Sequence, residues 1–317
     1  MRPIIFSIFC FVVINLVTAN TLKAQQIHQL TQYMTNDFAF NPAVAGSFDQ
    51  FIIRASYRKQ WSGFDGAPST ALLSGHGSVL PSSKAVGLGL LIYSDVTGPT
   101  SRTGGQLAYA YQLPLQNGKS HLGFGISGSF IQYKLDFDKL TAHQPGDPGI
   151  LLKGTESKGG GDVNLGAYFR NEKYWAGISG NQLLASKFNF SSNLDSLRNA
   201  RHLYLGGGGR FSVSDQFEIS PGAMIKMVKS VPAQAEIFVK GIYQRQYWLG
   251  AGMRTADGFA LMAGIDLDSG FRLAYSYDIT TSDLGPFENG SHEITLGYDF
   301  NIFGNQNSKG SGIESPR

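Results

Sequence analysis

Cysteine is almost missing. The one cysteine in the 317-residue chain, Cys10, lies in an apolar N-terminal run, so the rest has no disulfide, thiol nucleophile or cysteine metal ligand to draw on. Charge is scarce too: Asp, Glu, Lys and Arg make up 15% of the residues, against about a quarter in ordinary soluble domains. Neither sign dominates, since the formal charge is +3. With Arg2 and Lys23 set aside as part of a leader, 24 basic residues face 23 acidic ones. That balance argues against nucleic acid as a partner. Beyond residue 24 no apolar run approaches the about 20 residues of a membrane-spanning helix, so any passage through a membrane has to be made by strands.

Reactive constellations are missing as well. No Gly-x-Ser-x-Gly elbow stands between strand and helix patterns. The histidines at 28, 76, 121, 143, 202 and 292 lack metal-ligand spacing. The run 206–209 resembles a phosphate loop only in composition; without a following helix pattern it reads as small residues that let a backbone or a plug pack closely. Asp136, Asp138 and Asp147 lack the spacing of a calcium loop and read as solvated. A non-enzymatic protein is expected, with no catalytic residue, cofactor or metal.

What is present begins with a leader. Arg2 supplies a positive end, Ile4 to Val17 an apolar core, and Leu22-Lys23-Ala24 a small-residue cut before Gln25. A retained N-terminal anchor is the rival, but the run is short for a span. Phe9-Cys10-Phe11 does not fit a lipoprotein site. A cleaved signal peptide over residues 1–24 leaves a periplasmic, secreted or outer-membrane product.

After residue 50 the sequence alternates. Phe271, Leu273, Tyr275, Tyr277 and Ile279 share one face of an extended segment, and Arg272, Ala274, Ser276 and Asp278 the other. The same period recurs around 51–58, 106–113, 162–170 and 293–300, and more weakly at 69–79, 85–94, 120–134, 174–182, 201–212, 217–228, 233–243, 246–255 and 258–266. Together these make about 14 strands, mostly of the length a tilted strand needs to cross a bilayer. With 40 glycines and 12% aromatics, the fold class expected is all-β: an outer-membrane antiparallel β-barrel over residues 50–303, apolar faces toward lipid and charged faces toward the lumen. Alternation alone also fits a soluble sandwich with the faces reversed.

The connections set an orientation. Short turns fall near Pro81, Asn117, Glu172, Asp215, Arg245 and Asp268, and longer stretches at 61–68, 95–102, 136–160, 185–200 and 280–290. Barrels carry short turns in the periplasm and long loops outside. Strand one therefore rises outward, with both termini on the periplasmic side; the short connections at 229–232 and 255–257 are exceptions. Residues 25–49, with Asn41-Pro42-Ala43-Val44-Ala45-Gly46, either fold into the lumen as a plug or lie under the periplasmic mouth. Residues 304–317 read as a disordered tail. The lumenal charges Arg54, Arg58, Arg170, Arg254, Arg272, Asp162, Asp278 and Glu293 have mixed signs, which favours an internal salt-bridge network over a selectivity ring. Tyrosines and tryptophans near strand ends fit an interfacial girdle, or simply β-propensity.

Gln32-Tyr33-Met34, Asn41-Pro42-Ala43-Val44-Ala45-Gly46, Tyr57-Arg58-Lys59-Gln60-Trp61, Gly63-Phe64-Asp65-Gly66-Ala67-Pro68, Tyr174-Trp175-Ala176-Gly177, Tyr275-Ser276-Tyr277-Asp278 and Gly290-Ser291-His292-Glu293-Ile294 stand in order along the chain. In these stretches it resembles the PorP/SprF family of Bacteroidetes outer-membrane proteins. The resemblance implies a type IX secretion system component working in protein export and, in some relatives, gliding motility. It implies periplasmic and outer-membrane secretion subunits as partners, and as cargo secreted proteins with a C-terminal targeting domain or a surface adhesin. The family supplies no catalytic residues. Outer-membrane lipid would surround the barrel. Partner-binding or latch candidates are Arg58, Gln60, Trp61, Phe64, Asp65 and Pro68 in the stretch 57–68, with Asn41 and Pro42. Two other readings stand beside a docking barrel: a passive diffusion channel or small-solute transporter, and an outer-membrane enzyme, for which no Ser/His/acid cluster is evident.

Overall fold

The computed structural model describes residues 29–80, 85–140, 154–190, 197–229 and 231–301. The expected leader, Asp147 and the C-terminal tail lie outside them. Where the sequence alternates, the backbone is extended: β1 (Phe51–Lys59), β2 (Ser69–Ser78), β3 (Val86–Thr97), β4 (Thr100–Leu115), β5 (Ser120–Asp136), β6 (Thr155–Asn171) and β7 (Tyr174–Asn181). They are followed by β8 (His202–Gly209), β9 (Phe217–Val228), β10 (Val231–Tyr243), β11 (Tyr247–Arg254), β12 (Gly258–Asp266), β13 (Phe271–Thr280) and β14 (Ser291–Phe300). Each pairs antiparallel with its sequence neighbours, and β14 returns to β1 in a continuous register from Phe51↔Phe300 to Lys59↔His292. The β7–β8 and β8–β9 ladders complete a closed ring of 14 strands.

Closure gives each of the 14 strands a hydrogen-bonded neighbour on both sides, as the hydrocarbon of a bilayer requires. The faces sort as a lipid-immersed barrel demands. Leu107, Leu249 and Phe271 point outward and are 69%, 71% and 59% exposed, while Arg54, Arg58, Lys226, Glu236, Lys240, Arg254 and Glu293 are buried inside. A soluble sandwich would reverse the two faces, so the barrel is transmembrane.

Three strands differ from the sequence expectation. β4, β5 and β6 have 16, 17 and 17 residues. The ladder between β5 and β6 continues without a break to Asp136↔Thr155, so the start of β6 lies inside the stretch expected to be the longest loop. Likewise Thr97↔Thr100 closes a tight turn where 95–102 was expected to be a loop. The reason is solvent: once a strand rises past lipid, both its faces become polar and alternation disappears, while the backbone ladder continues. The stretch expected as loop 185–200 also contains a small hairpin, Lys187–Phe188 with Leu197–Arg198. It turns inward, and Phe188 packs on Ile131 and Tyr133 of the inner wall.

The lumen is filled. Residues 29–50 run through it as three 3-10 turns, Tyr33–Thr35, Asp37–Ala39 and Pro42–Val44. Phe38, Met34 and Val44 in this plug are no more than 1% exposed, and each such side chain contributes roughly 1.5–3 kcal/mol by leaving water. Of the two expected placements of this segment, the structure adopts the plug. Both chain ends were expected at the short-turn mouth, and both lie outside the described residues. Gln29 lies at the opposite mouth, where its amide donates to Asp257 in the β11–β12 turn.

Candidate functional site

The plug is gripped at three heights. At the long-loop mouth, alternation turns Arg58, Asp278 and Glu293 inward from β1, β13 and β14. The Arg58 guanidinium reaches Asp278 at 2.7 Å and Glu293 at 3.4 Å, and donates to the Thr31 hydroxyl at 2.7 Å. That hydroxyl donates to Asp278, while the Thr31 and Gln32 backbone amides donate to the two Glu293 oxygens. Arg254 extends the cluster to Glu236 and Asp257, each at 2.7 Å, and to Asp278. Buried ions of this kind demand partners and fix geometry, because removing one strands the others in a low dielectric.

Lower in the lumen, Arg54 pairs with Asp299 and donates to the Thr35 carbonyl, and Arg272 bridges Asp299 and Asp266. The mixed-sign network expected from the sequence is thus present as two ionic groups. Asp162 of that set plays a different part, accepting the backbone amides of Leu184 and Ser186.

Near the short-turn mouth the grip is neutral. Asn41 caps its own 3-10 turn by accepting from the Ala43 amide and donates to the Ala167 carbonyl of β6. Gln112 donates to the Ala43 and Ala45 carbonyls at 2.9 and 2.8 Å. Ser179 and Asn181 donate to the Phe40 carbonyl. The wall facing this turn is glycine: a Cβ on Gly87 would lie 2.0 Å from the Ala45 oxygen, and one on Gly125 2.3 Å from the Ala43 nitrogen. Backbone meets backbone there because no side chain intervenes. Gly208 does similar duty for the Trp175 indole.

The candidate residues therefore separate. Arg58, Asn41 and Pro42 all hold the plug, but at opposite ends of the lumen. Gln60, Trp61, Phe64, Asp65 and Pro68 shape the β1–β2 loop. In that loop Gln60 donates to the Pro68 carbonyl and Ser62 to the Gly290 carbonyl, and the Trp61 amide donates to Ser291. As a latch, one of its two expected roles, the loop would fold onto the N-terminal segment or into the lumen; in the structure it is tied to the β13–β14 loop, with Phe64 49% exposed and Asp65 also open. Sequence reasoning missed Glu236, Asp257, Asp299 and Gln112. Glu236, Asp299 and Gln112 carry a usable signal, a polar group on the inward face of an alternating segment; Asp257, in a tight turn, carries none.

The arrangement binds and seals. Among the described residues no group of three or more His, Cys, Asp and Glu could hold a metal ion. Asp136 and Asp138, weighed as calcium ligands, instead accept backbone amides of Asp138 and Gly154.

The chain is similar to solved barrels at low identity. A Pseudomonas aeruginosa FadL homologue is 13% identical, with 84% of this chain and 94% of that chain covered at a TM-score of 0.47. The CymD monoaromatic hydrocarbon channel is 11% identical, with 88% and 95% covered at 0.45. The Acinetobacter baumannii outer membrane protein Omp33 is 9% identical, with 80% and 99% covered at 0.42. No curated protein matches this chain. The family model for the type IX secretion system membrane protein PorP/SprF matches residues 22–298, spanning the plug and all but the end of the last strand; the chain belongs to the PorP/SprF family.

Proposed function

We propose that this protein is a non-enzymatic outer-membrane component of the type IX secretion system, a docking platform rather than an open conduit. The observation that carries the reading is the plug: the chain fills its own lumen and locks the filling with buried ion pairs. Family membership supports the choice of system, and the closed barrel with its apolar outer band supports the choice of membrane. On this reading secretion subunits of the periplasm meet the short turns. Cargo with a C-terminal targeting domain, or a surface adhesin, meets the long-loop face. Gliding motility follows where that adhesin is a motility adhesin. Affinity purification from native outer membranes should recover secretion subunits or an adhesin, and recovery of neither sinks the proposal.

A passive diffusion channel or small-solute transporter is the second reading, favoured by the architecture shared with barrels described as channels. For such a protein the plug has to move. A large, steady conductance of the purified full-length barrel in a planar bilayer would select the channel; silence would select docking.

A further inference from the structure

Above the lipid, one strand of the barrel outruns its neighbour. β6 stays paired with β5 up to Asp136↔Thr155, but its ladder with β7 ends at Leu165↔Gly180. The chain after β7 turns inward rather than continuing alongside. In an antiparallel ladder, successive residues direct their backbone groups to opposite edges. The Gly154 carbonyl accepts the Phe137 amide, so the even-numbered residues at this end of β6 face β5. The odd-numbered ones face away: the Val163 and Gly161 carbonyls accept the Leu183 amide and the Ser186 hydroxyl on the other edge. Thr155, Ser157 and Gly159 continue that row. All three are exposed, and among the described residues nothing bonds their N–H and C=O groups on that edge. The proline or bulge that commonly blunts an edge is absent from residues 155–161, whose register with β5 is continuous. The charges of Glu156 and Lys158 pair with each other at 3.0 Å on the inward face.

We infer that this edge of β6 is a docking site for an extended strand of another protein, which adds to the barrel wall by backbone pairing. Only an extended chain supplies donors and acceptors at the two-residue repeat of Thr155, Ser157 and Gly159. A second copy in the same membrane cannot. It shares this copy's orientation, so symmetry sets N–H against N–H and C=O against C=O. Side chains add a preference. The Phe130 ring, 59% exposed, lies over Gly159, where a Cβ would stand 2.6 Å from it. The outward residue that docks beside Gly159 is therefore apolar. On the inward face, an acid beside Lys158 and a base beside Glu156 complement the charges already there. In antiparallel pairing the fitting segment reads Val-Glu-Thr-Lys-Thr.

The test uses the full-length barrel folded in detergent and the acetylated, amidated peptide Val-Glu-Thr-Lys-Thr at millimolar concentration. The peptide is expected to slow amide hydrogen exchange at Thr155, Ser157 and Gly159 by about tenfold or more. The same peptide methylated on its backbone nitrogens should not. Ser157→Pro removes a donor from the open edge but none from the β5 ladder, so it should abolish the slowing at Thr155 and Gly159, while Ser157→Ala keeps it. Absence of slowing, equal slowing by the methylated peptide, or its persistence in Ser157→Pro overturns the inference. So does slow exchange at all three amides before peptide is added, which would mean that the chain covers its own edge. None of these outcomes depends on the role in secretion.

Discussion

Arg58 carries two acids and the first lumenal turn of the chain. Its replacement by Ala leaves Glu293 buried without a cation and Asp278 with only the longer contact to Arg254 at 3.6 Å. Breaking a buried pair in this way costs about 3–5 kcal/mol, so Arg58→Ala should lower the temperature at which the detergent-folded barrel loses its heat-modifiable gel mobility. An unchanged transition would show that the clamp does not stabilise the fold. Two glycines on β5 offer a cleaner contrast. A methyl on Gly125 meets the Ala43 backbone nitrogen at 2.3 Å, whereas Gly128 has nothing within 4 Å. Gly125→Ala should cost about 1–3 kcal/mol by overpacking and expose the plug to protease, while Gly128→Ala should be silent; equal behaviour of the two would contradict the close approach.

At the scale of elements, one side chain ties several points of the β7–β8 connection to the inner wall. Asp162 accepts amides from Leu184 and Ser186 and the Asn199 side chain. Asp162→Ala should raise hydrogen exchange at Leu184 and Ser186 by tenfold or more while the β5–β6 ladder keeps its protection; unchanged exchange would mean that the Phe188 and Tyr133 contacts hold the hairpin without it. The β11–β12 turn has a pH signature. Burial pushes the Asp257 carboxyl up, but Arg254 and Gln29 outweigh burial and hold it below the usual range. Its contribution is therefore full above the unfolded value, about 3.9, declines below that, and is lost as pH falls through the lowered value. The Gln29 side-chain amide, read by its NMR resonance, should stay bound to Asp257 down to about pH 4 and be released only at lower pH, and an earlier release would place the titrating group elsewhere.

Taken whole, the molecule is a barrel whose lumen is occupied by its own N-terminal segment. Removing residues 29–48 should convert a silent protein into one with steady conductance in a planar bilayer; continued silence would mean that the inward-turned hairpin seals the outer mouth by itself. All fourteen strands were readable beforehand, because within lipid the outward side chains must be apolar and the inward ones need not be. Legibility failed where that constraint lapses. Above the membrane, the start of β6 carries polar residues on both faces, Thr155 and Ser157 on one and Glu156 and Lys158 on the other, and reads as loop although it stays paired with β5. Asn41-Pro42 was readable as an ordered turn by its own chemistry, an acceptor that caps and a ring that donates nothing. Its partners on β6 and β7, more than a hundred residues away, were not.

The sequence by itself determined the strands, their register of faces and the inward placement of the charges, since these follow from a period of two in an apolar solvent. Only the tertiary structure decided which charges meet, that the segment before β1 occupies the lumen, and that it runs from the long-loop mouth to the short-turn mouth. Those outcomes depend on closure: bending the sheet into a ring brings Arg58, Asp278 and Glu293 around Thr31, a convergence of side chains on one point that no local pattern encodes.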